Sequence, residues 1–230
     1  MIYALLLSPD ESMRTKQLKE LTRRTPQRIA DQAATLWPEV SAVSRRARLP
    51  LVDLAIPGLR QFRPEEFKRF DETLTWLIES DRQIDLFEFV LRKIVNRHLE
   101  PQFGQTRKAV AQFYSIKPLL PECTLLLSAL AHVGSADPAE ILDAFNKGAP
   151  YLRAVEFTVQ LLPRSQCGLS QLEAALDRLA LAVPQIKKNL LEACVYVVGA
   201  DGVIQENEAE LLRAVADTLD CPMPPFVQME

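Results

Sequence analysis

Glycine is scarce in this chain, with seven in 230 residues. Tight hairpin turns lean on glycine, so folds built from many hairpins lose ground. Cysteine is sparse too. Cys123, Cys167, Cys194 and Cys221 lie far apart, with no CxxC pair and no His/Cys cluster. That spacing argues against a disulfide framework or a structural zinc site, and makes a reducing compartment the expectation. Of the two histidines, His98 stands in RHLEP and His132 in AHVGS, and neither belongs to an HExxH sequence. No glycine-rich phosphate loop is present, and a Ser–His–Asp arrangement would have to draw on one of these two histidines. Long apolar runs are missing as well. MIYALLL is too short to span a bilayer or to form a signal core, although it fits the stub of a longer segment upstream.

What is present reads as an ordinary globular composition, 48% apolar and 25% charged, in a chain long enough to bury a proper core. Charge is uneven. Residues 1–117 hold 20 Lys/Arg against 15 Asp/Glu, a net of +5, whereas residues 118–230 hold 7 against 15, a net of −8. The basic cluster near the start contains few aromatics beyond Tyr3 and Trp37, so no nucleic-acid partner is expected. Solvated faces or docking of unlike halves account for it.

Helix starts are legible. Ser8-Pro9 with Glu11, Thr25-Pro26, Asp137-Pro138 with Glu140, Ser170 with Glu173, and Asp85 with Glu88 read as capping sequences. Between them apolar residues recur three and four apart, as at Leu74, Leu77 and Ile78, and no sustained period-two stretch competes. The expectation is an all-α fold of about ten helices. Shifting the sequence by 120 positions aligns Asp81, Ile84, Glu88, Leu91, Val95 and Leu99 with Asp201, Ile204, Glu208, Leu211, Val215 and Leu219. The same shift aligns Pro64 with Pro184 and Leu59 with Leu179. We read two copies of one helical unit. The resulting organisation is basic N-terminal helices at 1–48, a first unit at 49–101, a helical middle at 102–168, a second unit at 169–221 and a flexible tail at 222–230.

Residues 197–215, VVGADGVIQENEAELLRAV, look like the back half of a calcium loop, but the first and third ligand positions fall on Val197 and Gly199, which offer no side-chain oxygen. An EF-hand is excluded. In a structural reading, Asp201 closes an Asx-type turn, Gly202 takes a positive φ, Ile204 plugs the corner between helices and Glu208 sits in the first turn of the next helix. The sharper alternative has Asp81, Glu88, Asp201 and Glu208 converging on a divalent metal. Cys194 falls in an apolar helical run and reads as core.

The stretch ADGVIQENEAELLRAVADTL resembles the TerB-like domains, helical modules of the tellurite-resistance type that carry Asp-Gly-x-Ile/Val-x-x-x-Glu between two helices. The first copy departs from that pattern, with Arg82 in place of glycine. RLPLVDLAIPGLRQF (Arg48–Phe62) and LIESDRQIDLFEFVLRKIVNRHLEP (Leu77–Pro101) are similar to the region after the protease core in bacterial membrane zinc metallopeptidases of the CAAX-prenyl-protease type. YALLLSPDE resembles the stretch just beyond a transmembrane helix there. This resemblance implies a non-catalytic interaction or regulatory region on the cytoplasmic side of the inner membrane, partnered by the protease and membrane portion of its own chain and by an unidentified protein. No cofactor is implied for this chain; zinc is implied only for the missing HExxH domain. The alternative is a stand-alone TerB-like protein that binds a divalent metal under stress.

Overall fold

The computed structural model describes residues 1–80, 86–103, 111–152 and 158–221, with the side chains at 45, 46, 100 and 101 outside that description. The described residues form eleven α-helices and no strand; an isolated bridge pairs Phe113 with Ala182. They are α1 (Ile2–Leu5), α2 (Glu11–Arg24), α3 (Gln27–Ala42), α4 (Arg45–Leu59), α5 (Pro64–Glu79), α6 (Leu86–Phe103), α7 (Leu120–Gly134), α8 (Pro138–Gly148), α9 (Leu169–Leu179), α10 (Pro184–Val198) and α11 (Glu206–Thr218). The chain divides into two compact units, Met1–Gln105 and Thr106–Glu230. No described helix is long and apolar enough to cross a membrane.

Prolines start helices where their missing N–H costs nothing: Pro64, Pro138 and Pro184 each occupy the first helical position. Asp137 caps α8, its Oδ1 accepting from the backbone N–H groups of Ala139 at 2.7 Å and Glu140 at 3.2 Å. Other starts differ from the sequence expectation. Asp10, not Ser8, caps α2, accepting from Met13 N–H at 2.7 Å, while the Ser8 hydroxyl accepts from Asp10 N–H. The carboxylate two residues further on takes the cap, so Pro9 stays outside the helix. Ser170 lies inside α9, whose cap position is Gly168. Thr25 turns its hydroxyl back onto the Leu21 carbonyl at 2.8 Å and so closes α2 rather than opening α3. Asp85 lies outside the described residues; Glu88 falls in the first turn of α6.

In the first unit α3 packs on α1 and α2, while α6 packs on α4 and α5. Leu21, Val52, Leu74, Ile78, Leu91 and Ile94 are almost wholly buried. One polar side chain ties this core to the segment before α2. Gln17, 3% exposed, accepts from Ser8 N–H at 2.7 Å and donates to the Ser80 hydroxyl at 2.8 Å. A buried amide with both ends satisfied costs little and fixes geometry.

In the second unit α7 is the hub, packed against α8, α9, α10 and α11. Its apolar run makes that possible, because Cys123, Leu126, Leu127, Leu130 and Ala131 are all buried. Helix α8 approaches α10 at Gly148, where a Cβ would run into Val197 and lie 2.6 Å from the Ala193 carbonyl oxygen.

Some helix boundaries lie 120 residues apart. Helices α4 and α9 both end on a leucine, Leu59 and Leu179; α5 and α10 begin at Pro64 and Pro184; Glu88 and Glu208 are each the third residue of their helix. Buried positions coincide at the same spacing, including Val52 with Leu172, Leu74 with Cys194, Leu77 with Val197, Leu91 with Leu211 and Leu99 with Leu219. Helix α6 runs further than α11 on this alignment.

Candidate functional site

The corner between α10 and α11 contains the most distinctive residues of the sequence. Helix α10 ends at Val198 and is followed by tightening turns: Ala200 N–H donates to Val197 O at 3.3 Å and Gly202 N–H to Gly199 O at 3.2 Å. Asp201 Oδ1 accepts from Val203 N–H at 2.9 Å, an Asx turn, and Gly202 takes φ +80°, a left-handed conformation that a side chain would strain. Lys147, on α8, holds the same corner from outside. Its Nζ donates to Ala200 O at 2.8 Å and pairs with Asp143 at 2.7 Å.

Ile204 does not plug the corner. It is 38% exposed, and Val203 beside it is 61% exposed. Polar groups close the gap instead. Gln205 stands at the cap of α11, and its N–H donates to Glu208 Oε2 at 2.8 Å, the carboxylate arm of a capping box. Its side-chain Nε2 reaches 71 residues back in sequence and donates to the Gly134 carbonyl at 2.7 Å, satisfying an end carbonyl of α7. Glu208 is 5% exposed, and its other oxygen lies against Gly134 where a Cβ would have to be. Gly134 and Gln205 thus complete the corner. Neither was picked out by sequence reasoning, although a glycine ending the apolar run of α7 is a visible helix-stop signal.

Electrostatics at Glu208 follow from this burial. Loss of solvent pushes its carboxyl above the ordinary value, the Gln205 N–H pulls it back, and the nearby Asp201 charge raises it again. Asp201 and Glu208 therefore share one corner. Glu88 occupies the matching helical position in the other unit, and Asp81 lies outside the described residues. Among the described residues no three carboxylate, histidine or cysteine side chains gather as a metal site.

The remaining chemical groups are built into the helices. His132 Nε2 lies 2.8 Å from Leu162 O and donates to it, since a carbonyl can only accept. Ser128 takes the Leu162 N–H at 3.0 Å, so α7 grips that residue twice. His98 lies inside α6 with Nδ1 3.5 Å from Arg60 Nη2. Cys123 and Cys194 are fully buried, and burial pushes the Cys123 thiol up to about 12 and the Cys194 thiol higher still. Neither offers a thiolate at neutral pH.

Against known proteins, residues 158–229 match the family described as tellurite resistance protein TerB. The match covers less than half of the chain and takes in α9, α10, α11 and the corner between the last two. No curated protein and no solved structure is significantly similar.

Proposed function

We propose that this chain works by binding rather than by chemistry, as a module of two TerB-like helical units that serves as the interaction or regulatory region of a membrane-bound zinc metallopeptidase. The observation that carries the two-unit reading is the common register of α4–α6 and α9–α11. The ends of α4 and α9, the starting prolines of α5 and α10 and several buried positions recur 120 positions apart. A binding role is favoured by the commitment of Glu208 and His132 to helix-end and backbone contacts. Attachment to a protease rests on the resemblance of residues 48–62 and 77–101, and zinc would belong to that protease portion.

Fractionation of the native cell, read with an antibody to this module, tests the proposal. A membrane-fraction band well above 25.9 kDa is expected. A soluble band at that mass would end the protease reading.

A second reading, a divalent-cation site at the corner, is favoured by one observation: the Asx-turn carboxylate of Asp201 and the buried carboxylate of Glu208 lie at the same corner, where a cation could draw on both. Excess calcium, magnesium or zinc should then raise the melting temperature of the chain but not that of Asp201→Ala. Equal melting curves would remove this reading.

A further inference from the structure

The first unit contains an open cavity of about 420 Å³, within the range of small-molecule sites. Its floor is apolar, formed by the buried side chains Ile2, Ala33, Leu59 and Phe70. Cationic groups stand at its rim. Arg28 and Arg69 both line it, both are exposed, and neither pairs with a described carboxylate. Glu66, the acidic residue of the lining, is already engaged, accepting from Arg63 N–H at 2.8 Å at the start of α5. The first turn of α3 also opens here. Pro26 at its cap has no side-chain acceptor, so the positive helix end carries no side-chain cap.

An apolar floor lined also by two exposed arginines and a positive helix end fits a ligand that is hydrocarbon at one end and anionic at the other. A peptide fits less well, because its backbone N–H and C=O groups would meet the Ile2, Ala33, Leu59 and Phe70 side chains, which offer no hydrogen-bond partner. A hydrocarbon chain makes no such demand. We propose that this cavity binds a single-chain anionic amphiphile, a long-chain fatty carboxylate, with its tail on the Ile2–Phe70 floor and its head group between Arg28 and Arg69.

The probe is dodecanoate, titrated into the full chain by calorimetry below its micelle concentration. Saturable one-to-one binding is expected, tightening by up to about fourfold per methylene from octanoate to dodecanoate, as burial of each added CH₂ predicts. Dodecyltrimethylammonium, with the same tail and the opposite charge, should bind at least roughly tenfold more weakly. Ala55→Trp, which fills the cavity from α4, should abolish binding. The exposed pair Arg28→Glu with Arg69→Glu should weaken it roughly tenfold and decides the matter if the tryptophan variant does not fold. Absence of saturable dodecanoate binding would overturn the proposal. So would equal binding of the cationic amphiphile, or binding indifferent to the arginine reversal. Binding of an acidic amphipathic peptide without dodecanoate binding would reassign the cavity to a partner helix.

Discussion

The carboxylate of Glu208 occupies the space that a side chain at position 134 would need. The glycine that ends α7 and the acid that opens α11 are therefore one feature. Gly134→Ala should destabilise the chain by about 1–3 kcal/mol, because the added methyl displaces a carboxylate held by the Gln205 N–H. Urea denaturation measures the loss. In a double-mutant cycle with Glu208→Ala the two losses should fall clearly short of additive, since shortening residue 208 frees the space. Additive losses would show that the two residues do not compete.

The raised pKa of Glu208 has a definite sign for stability. A carboxyl that holds its proton more tightly when folded contributes stability below its unfolded pKa, near the ordinary 4.5, and loses it as pH rises through the folded value. Glu208→Gln keeps an oxygen for the Gln205 N–H but cannot titrate, so its stability should fall less than that of the parent across that window. Asp201→Asn should lower the Glu208 midpoint by removing a neighbouring negative charge, while its side-chain oxygen can still accept from Val203 N–H. Carboxyl carbon NMR through a pH titration reads both; an unmoved midpoint in Asp201→Asn would contradict the assigned repulsion.

Two glycine-to-alanine changes should act in opposite directions. At Gly148 the new methyl meets Val197 and the Ala193 carbonyl, and a backbone atom cannot swing aside as a side-chain tip can. A loss of about 2–3 kcal/mol is expected. At Gly58, inside α4, a Cβ meets nothing within 4 Å. There the better helix propensity of alanine should add about 0.5–1 kcal/mol. Thermal and urea melts of the pair give the comparison, and a loss at Gly58 would mean that α4 needs its flexibility.

Thiol labelling should divide the four cysteines evenly. Cys167 and Cys221 are half-buried, whereas Cys123 and Cys194 are enclosed in the second unit. In native buffer at pH 8, an aromatic disulfide reagent should modify two thiols quickly and the other two only at the rate of unfolding. Four fast thiols would show that α7 and α10 open readily.

Much of this fold was legible because helices announce themselves locally. A proline at a first helical position, the Asp137 cap and leucines three and four apart are all set by neighbours in sequence. Where two local candidates competed, legibility failed by a residue or two. Ser8 and Asp10 can both cap a helix, and only the geometry beyond Pro9 decides for the carboxylate. The corner was half legible. The turn chemistry of Asp201 and Gly202 is local, whereas the contact of Gln205 with Gly134 spans 71 residues and leaves no mark on the spacing around it. Ile204 misled as well: hydrophobicity argues for burial, yet at that corner it is Glu208 that is buried and Ile204 that is exposed. The cavity in the first unit was invisible, being assembled from α1, α3, α4 and α5.

The contact of Gln205 with Gly134 also bears on where a physical domain begins. The TerB match starts at residue 158, yet the carbonyl that anchors its corner belongs to α7, which ended 24 residues earlier at Gly134. Helix α7 is also the surface on which α9, α10 and α11 pack. A fragment excised at the family boundary would inherit the motif without the strut it leans on, exposing a leucine-rich seam to water. Heredity and mechanics thus draw the edge of this module in different places, and the mechanical edge lies upstream of α7.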